Sequence, residues 1–292
     1  AIYVFLAKSG MVAFDLKGKK LWQTSVGTNS SRKRWGSSSS PIIHGDLVFI
    51  NALQEGNKIF ALNKADGKIA WQWGPSAADS YQDTYGTPAL VKAKDKTELV
   101  LAVPGEIWSF DAKKGNITWY AYTNVGAGRG NVSPSTITGG DALYVFGGRP
   151  GSGVAVKLGG KGEVKESSQL WTSRNSPYVA TPVYHEGHLY WMDRSGYAVC
   201  LNAKTGKETY RERLQSSGRT PQFYASPVVV EGKIISVSRN AGAFVLEAKP
   251  KFKQLAQNTF ASDRSVFNAS PAVSNNRLFL RSDTHLYCIA GE

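Results

Sequence analysis

Two sets of arginines recur at a fixed interval, and arginine is the side chain in this sequence best suited to holding an anion. Successive members of each set are 45 residues apart. The guanidinium group is planar and always charged, and its fork of N–H donors matches carboxylates, phosphates and sulfates. The spacing predicts one arginine of each set per copy of a repeated unit. The first set is Arg129, Arg174, Arg219 and Arg264, and the second is Arg149, Arg194 and Arg239.

Aromatic residues stand shortly before the Ser-Pro and Thr-Pro dipeptides of the chain. Two interpretations remain open for them: a rim on which a sugar, quinone or base stacks, or packing beneath the loops. Two interpretations also remain open for the arginines. They bind an anion, or they form structural ion pairs with loop aspartates such as Asp193 and Asp263. The aromatic residues are Trp35, Tyr85, Tyr178, Tyr224 and Phe267.

No pattern typical of catalysis or of a metal site accompanies these residues. His185 and His188 flank a glycine turn and lack the helical spacing that places two histidines on one metal ion. Cys200 and Cys288 are 88 residues apart, so we predict two small buried hydrophobic side chains without a disulfide. The sequence therefore predicts no catalytic residue and no metal ligand.

A hairpin repeated along the chain must position the arginines. Residues 59–71, IFALNKADGKIAW, alternate apolar and polar positions, turn between Asn and Gly, and end in Trp. The short Asx side chain of each turn accepts backbone N–H groups, and the tryptophans are predicted to wedge between neighbouring units. The turn residues are Asp15, Asn63, Asp111 and Asn202, and the wedges are Trp22, Trp71, Trp119 and Trp171.

A Ser-Pro or Thr-Pro dipeptide begins each further repeat, with proline spacings of 47, 46, 48, 45 and 44 residues. Four strands fit in each repeat, which predicts an all-β propeller of four-stranded antiparallel blades in one domain, 1–292. The first of seven visible repeats lacks its inner strand and the last its outer strand, and a missing upstream repeat would make eight blades. The approximate blades are 1–27, 40–74, 87–123, 133–173, 181–214, 226–259 and 270–292.

The bulk composition agrees with a globular, basic chain. The hydrophobic fraction is 41%, the charged fraction 20% and the formal net charge +13, which favours anionic partners without specifying a fold. No apolar run reaches the roughly 18 to 20 residues of a membrane helix. The start lacks the charged segment of a targeting signal.

The hairpin pattern Ala-x-Asp/Asn-x-x-x-Gly-Lys-x-x-Trp, as at residues 61–71, resembles the tryptophan-docking repeats of quinoprotein dehydrogenases and of the PQQ-like propeller family. That family includes the outer-membrane assembly lipoprotein. The stretch after Ala225 resembles secreted bacterial PQQ-binding-like propeller repeat proteins, which implies eight blades and a periplasmic or secreted location. Quinoprotein dehydrogenases hold the quinone against a disulfide of adjacent cysteines beside a calcium ion. Because both cysteines here are isolated, no cofactor is expected and PQQ is disfavoured.

These observations favour a non-catalytic binding or scaffold module whose Arg-rich loop face contacts a protein partner, an anionic polymer or a small anion. The alternative is a protein that binds PQQ or a related quinone, or a dehydrogenase-like enzyme. Sequence-specific nucleic-acid binding and a membrane span are not expected.

Overall fold

The computed structural model describes residues 1–31, 33–76, 81–93, 96–128, 130–147 and 151–291. Regular structure in these residues is almost entirely β, with one short helix, α1 (Leu53–Gly56), and two single 3₁₀ turns. The chain divides into two compact units, 1–169 and 170–292, which are described separately below. The prediction of one domain stays a prediction.

The first unit contains three complete sheets and the first three strands of a fourth. The strands of the first two sheets are β1 (Ile2–Phe5), β2 (Met11–Phe14), β3 (Lys20–Thr24), β4 (Ile42–His44), β5 (Leu47–Ala52), β6 (Lys58–Asn63) and β7 (Ile69–Trp73). Those that follow are β8 (Ala89–Ala93), β9 (Lys96–Val103), β10 (Glu106–Asp111), β11 (Ile117–Tyr122), β12 (Ile137–Gly139), β13 (Ala142–Gly147), β14 (Ser152–Lys157), β15 (Gly162–Val164) and β16 (Gln169–Ser173). Strand β16 completes the fourth sheet, in the order β12-β13-β14-β16, and begins at the division between the units.

The second unit continues the same pattern through three more sheets, each with consecutive strands antiparallel. The fifth sheet is β17 (Val183–His185), β18 (His188–Met192), β19 (Tyr197–Asn202) and β20 (Glu208–Arg213). The sixth is β21 (Val228–Val230), β22 (Lys233–Val237), β23 (Ala243–Glu247) and β24 (Gln254–Asn258). The seventh is β25 (Ala272–Ser274), β26 (Arg277–Arg281) and β27 (Leu286–Ala290). The predicted four-stranded repeats, with three strands in the first and last, are confirmed.

The third sheet departs from the prediction because it has a fifth strand. Strand β15 pairs parallel to β11, with Trp119 opposite Gly162 and Ala121 opposite Val164. The segment between β14 and β16 is longer than the turns of the other repeats and lacks their Asx-to-Gly pattern. It therefore forms no tight hairpin and adds its strand to the edge of the neighbouring sheet instead.

The hydrophobic core lies between neighbouring sheets. In the first unit, Met11 and Ala13 of β2 pack in one cluster with Val48 and Ile50 of β5. In the second unit, one cluster likewise joins residues of the fifth and sixth sheets. Within each unit, neighbouring sheets thus bury apolar side chains against one another, as expected for repeats that share a core with their neighbours.

The tryptophan at the end of a hairpin docks on the turn of the next sheet. The indole N–H of Trp22 donates to the main-chain oxygen of Lys64 at 2.9 Å, and that of Trp71 to Ala112 at 3.0 Å. Gly67, in that next turn, has φ +71°, and a Cβ there would lie 2.5 Å from the Trp22 ring. The turn therefore needs glycine both for its backbone and for the docked indole. Trp171 docks in the same way on Ala203, at 2.8 Å.

Trp119 is the exception among these wedges. Its ring is fully buried, but its N–H donates at 2.9 Å to the Glu98 carboxylate of its own sheet. The segment leading into strand β15 packs on the Trp119 ring where a hairpin turn packs on the other tryptophans. A Cβ on Gly160, in that segment, would lie 3.2 Å from the Trp119 ring. Glu98 is itself buried and is paired with Lys96 at 3.1 Å.

The Ser-Pro and Thr-Pro dipeptides link neighbouring sheets through hydroxyl groups. The main-chain N–H of Ser40 donates to the Thr87 hydroxyl at 2.9 Å. In the second unit the N–H of Thr181 donates to the Ser226 hydroxyl, and that of Ser226 to the Ser270 hydroxyl, both at 2.9 Å. We call these bonds the hydroxyl ladder. Sequence reasoning assigned a role to the proline of each dipeptide and missed that of the hydroxyl.

The two cysteines have different environments, so the prediction for one of them is wrong. Cys200, in β19, is buried as predicted, whereas Cys288, in β27, is exposed, and both are free thiols. Strand β27 is the edge strand of a three-stranded sheet. Its side chains therefore lack the outer strand that would extend the cover over Cys288.

Candidate binding site

Each antiparallel sheet has two ends, and the predicted arginines belong to one of them. The segment that enters the first strand and the connection between the second and third strands lie at the same end, which we call the loop end. The hairpin turns between the first and second and between the third and fourth strands lie at the other, the turn end. In the fifth sheet, Arg174 and Tyr178 lie in the segment that leads into β17, and Arg194 lies in the connection between β18 and β19. Both segments are at the loop end.

Two arginines and two tyrosines form a row at the loop end of the second unit, in the order Arg, Tyr, Tyr, Arg, here called the Arg–Tyr row. The Arg194 guanidinium lies 5.1 Å from the centre of the Tyr178 ring, and that of Arg239 lies 4.4 Å from Tyr224. The two tyrosine rings are 6.0 Å apart and inclined by 58°. The fifth and sixth sheets thus each supply one cation–aromatic pair, and the rings join the pairs.

Local structure holds the members of the row in place. Tyr178 has φ +72°, a left-handed conformation that is costly for an aromatic residue and is maintained by its surroundings. The Arg239 Nε donates to the Asn268 side-chain oxygen at 2.8 Å, and the main-chain oxygen of Arg239 accepts from Phe267. Both tyrosines and Arg239 are half-buried, while Arg194 is exposed. The row therefore presents positioned guanidinium groups to solvent.

The loop carboxylates of the second unit are engaged by other groups. Asp193 pairs with Arg211 of β20 and accepts the main-chain N–H of Ser195 at 2.8 Å. Asp263 accepts from Ser265 and, at 2.8 Å, from the Tyr287 hydroxyl. Hydrogen bonds from Ser282 and Ser265 hold the Asp263 pKa well below its ordinary value. Neither carboxylate neutralises an arginine of the two predicted sets.

The other predicted arginines are placed differently. Arg174, Arg219 and Arg264 are exposed. Within the described part of the chain, none of these three forms an ion pair or a cation–aromatic contact. Arg129 and Arg149 lie outside the described residues.

The loop end of the first unit carries a cation–aromatic pair of another kind. Lys33 lies 5.0 Å from the Trp35 ring, but it is also paired with Asp83 at 3.4 Å. Trp35 is 58% exposed and lies 5.6 Å from the ring of buried Tyr85. Burial raises the Tyr85 pKa above its ordinary value. Of the five predicted aromatic residues, Trp35 is thus open to solvent, Tyr178 and Tyr224 are partly covered, and Tyr85 and Phe267 are buried.

Sequence reasoning identified the members of the Arg–Tyr row but not their pairing. The signal is the distance between partners, since Tyr178 precedes Arg194 by 16 residues and Tyr224 precedes Arg239 by 15. Residues 15 or 16 positions apart come into contact here because the first two strands of the repeat run antiparallel and return the chain to the same end of the sheet. Asn268 carries no comparable signal.

A buried carboxyl group at the loop end of the second sheet was also missed. Glu55 lies in α1 and is 3% exposed, and the Ser37 hydroxyl donates to its Oε1. Its Oε2 is buried with no hydrogen-bond partner among the described residues. Burial raises the Glu55 pKa, against the opposing effect of the Ser37 bond. Helix α1 is not part of the repeat, so the repeat pattern gives no signal for it.

The turn that carries His185 and His188 adds no further candidate site, and neither does any metal-ligating group or membrane-spanning helix among the described residues. His185 and His188 close the β17–β18 hairpin opposite each other, and Glu186 between them pairs with Lys249 at 3.1 Å. In the described ranges, no three His, Cys, Asp or Glu side chains are grouped to hold a metal ion. The described helices include none that is long and apolar enough to span a membrane.

Comparison with known proteins identifies the family. The model of the family described as "Outer membrane protein assembly factor BamB" matches residues 7–167 and 160–254. The chain belongs to this family of PQQ-like β-propeller repeat proteins. The resemblance of the hairpin pattern to that family is therefore confirmed.

Two curated relatives show how far the similarity extends. Outer membrane protein assembly factor BamB of Salmonella typhimurium is 24% identical over 200 residues, which are 66% of this chain and 46% of the relative. Tetrathionate hydrolase of Acidithiobacillus ferrooxidans is 26% identical over 257 residues, 79% of this chain and again 46% of the relative. The chain spans about half the length of the curated relatives it matches.

A solved structure of the same family supports the fold. The crystal structure of BamB from Moraxella catarrhalis aligns with a TM-score of 0.70 at 15% identity, covering 94% of this chain and 77% of that one. Together with the seven sheets of the described residues, whose consecutive repeat strands are antiparallel, this likeness assigns the chain a seven-bladed β-propeller fold. The eight-blade alternative concerns sequence upstream of Ala1 and stays a prediction.

The described residues do not fit the quinone site that the wider resemblance implies. That site requires a disulfide of adjacent cysteines and a calcium ion beside it. Cys200 and Cys288 are free thiols in different sheets, and the described part of the chain offers no group of three metal-ligating side chains.

Proposed function

We propose that this chain is a non-catalytic scaffold that binds a partner protein through the loop end of its fifth and sixth sheets. The relatives' name, outer membrane protein assembly factor, supports a role in assembling other proteins. By the same comparison we propose a periplasmic or secreted location. The single observation that carries the proposal is the Arg–Tyr row.

The row has the composition of a binding hot spot. Arginine and tyrosine are enriched among the residues that dominate interface energies, because each combines a large contact area with directional donors. Here both guanidinium groups are held over rings, so little side-chain freedom is lost on binding. With Asp193 and Asp263 engaged elsewhere, an acidic segment of the partner would supply the missing carboxylates.

Site-specific photocrosslinking in the source bacterium tests the proposal. A photoreactive residue replaces Gln222, which is exposed beside the row, or Lys204, which is exposed at the turn end of the fifth sheet. We expect a discrete protein adduct from position 222 that disappears in the variant Arg194→Ala/Arg239→Ala and no such adduct from position 204. An adduct from position 222 that persists in the double variant, or one only from position 204, would overturn the proposal.

For cofactors we propose that none is bound, against the alternative of PQQ or a related quinone. Titration of the purified protein with PQQ, with and without calcium, should give no saturable change in quinone fluorescence. A saturable change that is lost in Arg194→Ala/Arg239→Ala would favour the alternative. Because one relative is named tetrathionate hydrolase, the same preparation should be assayed for loss of tetrathionate, and turnover would contradict a non-catalytic scaffold.

A further inference from the structure

The first unit contains a cavity of about 680 Å³ between its second and third sheets, at the turn end. Its lining residues belong to the first unit, whereas the proposed function depends on residues of the second unit. Four lysines line it: Lys92, Lys96, Lys113 and Lys114. Its size is within the range of roughly 300 to 1,000 Å³ typical of small-molecule sites.

Two turns and residues of strands β5, β7, β8 and β9 line this cavity, which we call the lysine cavity. The β4–β5 turn and Leu47 contribute one wall, and Lys92 and Lys96 stand on β8 and β9 on the other. The β10–β11 turn adds Lys113, and Ala70 of β7 lies between the sheets. The docked Trp71 ring fixes the two sheets beside it, because its N–H binds the main-chain oxygen of Ala112.

Three of the four lysines have no ion-pair partner in the part of the chain that the structure describes. Lys96 is paired with buried Glu98 at 3.1 Å, but the described residues provide no ion-pair partner for Lys92, Lys113 or Lys114. The Asp111 carboxylate, which also lines the cavity, accepts the main-chain N–H groups of Lys113 and Lys114 at 2.9 Å each. That carboxylate caps the turn, and the two ammonium groups stay available.

The preceding groove shows that this charge is not a property of the repeat. Between the first and second sheets lies a cavity of about 380 Å³ with a different lining. Its turn reads Lys64-Ala65-Asp66 where the lysine cavity has Ala112-Lys113-Lys114. Asp66, together with Asp46, which lines both cavities, gives it two carboxylates against one lysine, whereas the lysine cavity has Asp46 and Asp111 against four lysines. The positive charge is therefore specific to the groove between the second and third sheets.

We infer that the lysine cavity binds a small organic anion with an apolar body, such as an aryl or alkyl carboxylate or sulfonate. Leu47, Ala70 and Ala112 offer apolar surface for the body. The ammonium groups, compact charges on flexible stems, reach the anionic group without imposing a planar geometry on it. The site is independent of the Arg–Tyr row and takes a different class of ligand.

The probe for this site is 1-anilinonaphthalene-8-sulfonate, measured by isothermal titration calorimetry with the complete chain at low salt. We expect saturable binding to the native protein, weakened at least tenfold in Lys113→Gln/Lys114→Gln. Lys204→Gln is the matched control, because Lys204 holds the equivalent turn position in the fifth sheet. Equal affinity in the double variant and the wild type would overturn the inference.

Two further measurements separate a shaped anion site from general adsorption. Ala70→Trp fills the cavity without changing its charge and should abolish binding, with the thermal midpoint showing that the variant is folded. The neutral analogue N-phenyl-1-naphthylamine should bind at least tenfold more weakly than the sulfonate. Undiminished binding to Ala70→Trp, or equal binding of the neutral analogue, would contradict the inference.

Discussion

Single residues in this protein differ in chemistry mainly because of what covers them, and the two cysteines show this most clearly. Burial raises the Cys200 pKa to about 11, whereas Cys288 is exposed on β27. Only a thiolate reacts readily with disulfide reagents or haloacetamides. The same residue type at the same repeat position therefore has opposite reactivity.

We predict that native protein reacts with one equivalent of 5,5′-dithiobis(2-nitrobenzoate) at pH 8 and with two after unfolding in guanidinium chloride. The released thionitrobenzoate measures both. Cys288→Ser should remove the native reaction and Cys200→Ser should leave it. Rapid labelling of two thiols in the native state would show that Cys200 is accessible.

The buried carboxyl group of Glu55 should make the stability of the protein depend on pH. Because its folded-state pKa is raised by burial above the ordinary 4.5, folding favours the protonated form. The contribution of this group to stability is greatest below the unfolded-state pKa and falls as pH rises through it toward the folded value.

We therefore expect Glu55→Gln to unfold at a higher temperature than the wild type at pH 7, by about 2 °C for a gain of about 1 kcal/mol. At pH 4 the two midpoints should lie closer together, since the wild-type carboxyl is then largely protonated. Differential scanning calorimetry at both pH values is the measurement, with the exposed Glu231→Gln as control. A difference of equal size at both pH values would mean that the effect is not one of charge.

At the scale of elements, stability depends on how a tryptophan of one sheet meets the turn of the next. Gly67 and Gly18 both have positive φ, but a Cβ would strike the Trp22 ring only at Gly67 and would meet nothing within 4 Å at Gly18. Substitution of Gly18 therefore tests backbone strain alone, whereas substitution of Gly67 tests strain together with displacement of the Trp22 ring.

We predict that Gly18→Ala lowers the free energy of unfolding by about 1 to 2 kcal/mol, the cost of a left-handed L-residue. Gly67→Ala should cost at least about 3 kcal/mol, because strain is joined by displacement of the indole and its hydrogen bond. Urea unfolding followed by tryptophan fluorescence and by far-ultraviolet circular dichroism measures both. Equal losses would contradict a docking role for the Trp22 ring.

The elements were largely predictable from sequence, and the exceptions have local causes. Proline spacing and the Asx-to-Gly turns indicated the strands because both are backbone requirements of the residue itself. Strand β15 carried no such signal, since its pairing depends on the neighbouring β11. The cation–aromatic contacts of Arg194 and Arg239 were equally hidden, because they join residues 15 or 16 positions apart that meet only once the first two strands of a repeat have paired.

For the molecule as a whole, the net charge of +13 means that weak attraction to any polyanion is expected, wherever the charges lie. The positions of the charges matter for this binding only if particular arginines contribute more affinity than the same number of positive charges elsewhere on the protein. The exposed Arg174, Arg219 and Arg264 provide the test, since they hold the equivalent position in three successive repeats.

Heparin binding should weaken steeply with salt, and replacing these three arginines by alanine should weaken it further and flatten its salt dependence. The matched control removes the same charge at the turn end of the first sheet, as Lys17→Ala/Lys19→Ala/Lys20→Ala. Fluorescence anisotropy with labelled heparin at several salt concentrations compares them. If both triple variants lose the same affinity, only net charge matters and the arginine sets have no special role.

The hydroxyl ladder has a consequence for amide exchange in heavy water. The N–H groups of Thr181 and Ser226 lie outside the regular strands, yet each is bonded to a hydroxyl of the following sheet. Their protection then depends on the neighbouring sheet staying docked rather than on the sheet to which they belong. These two amides are therefore reporters of contact between successive sheets, readable one junction at a time in a protein whose strand amides report mainly on their own sheet.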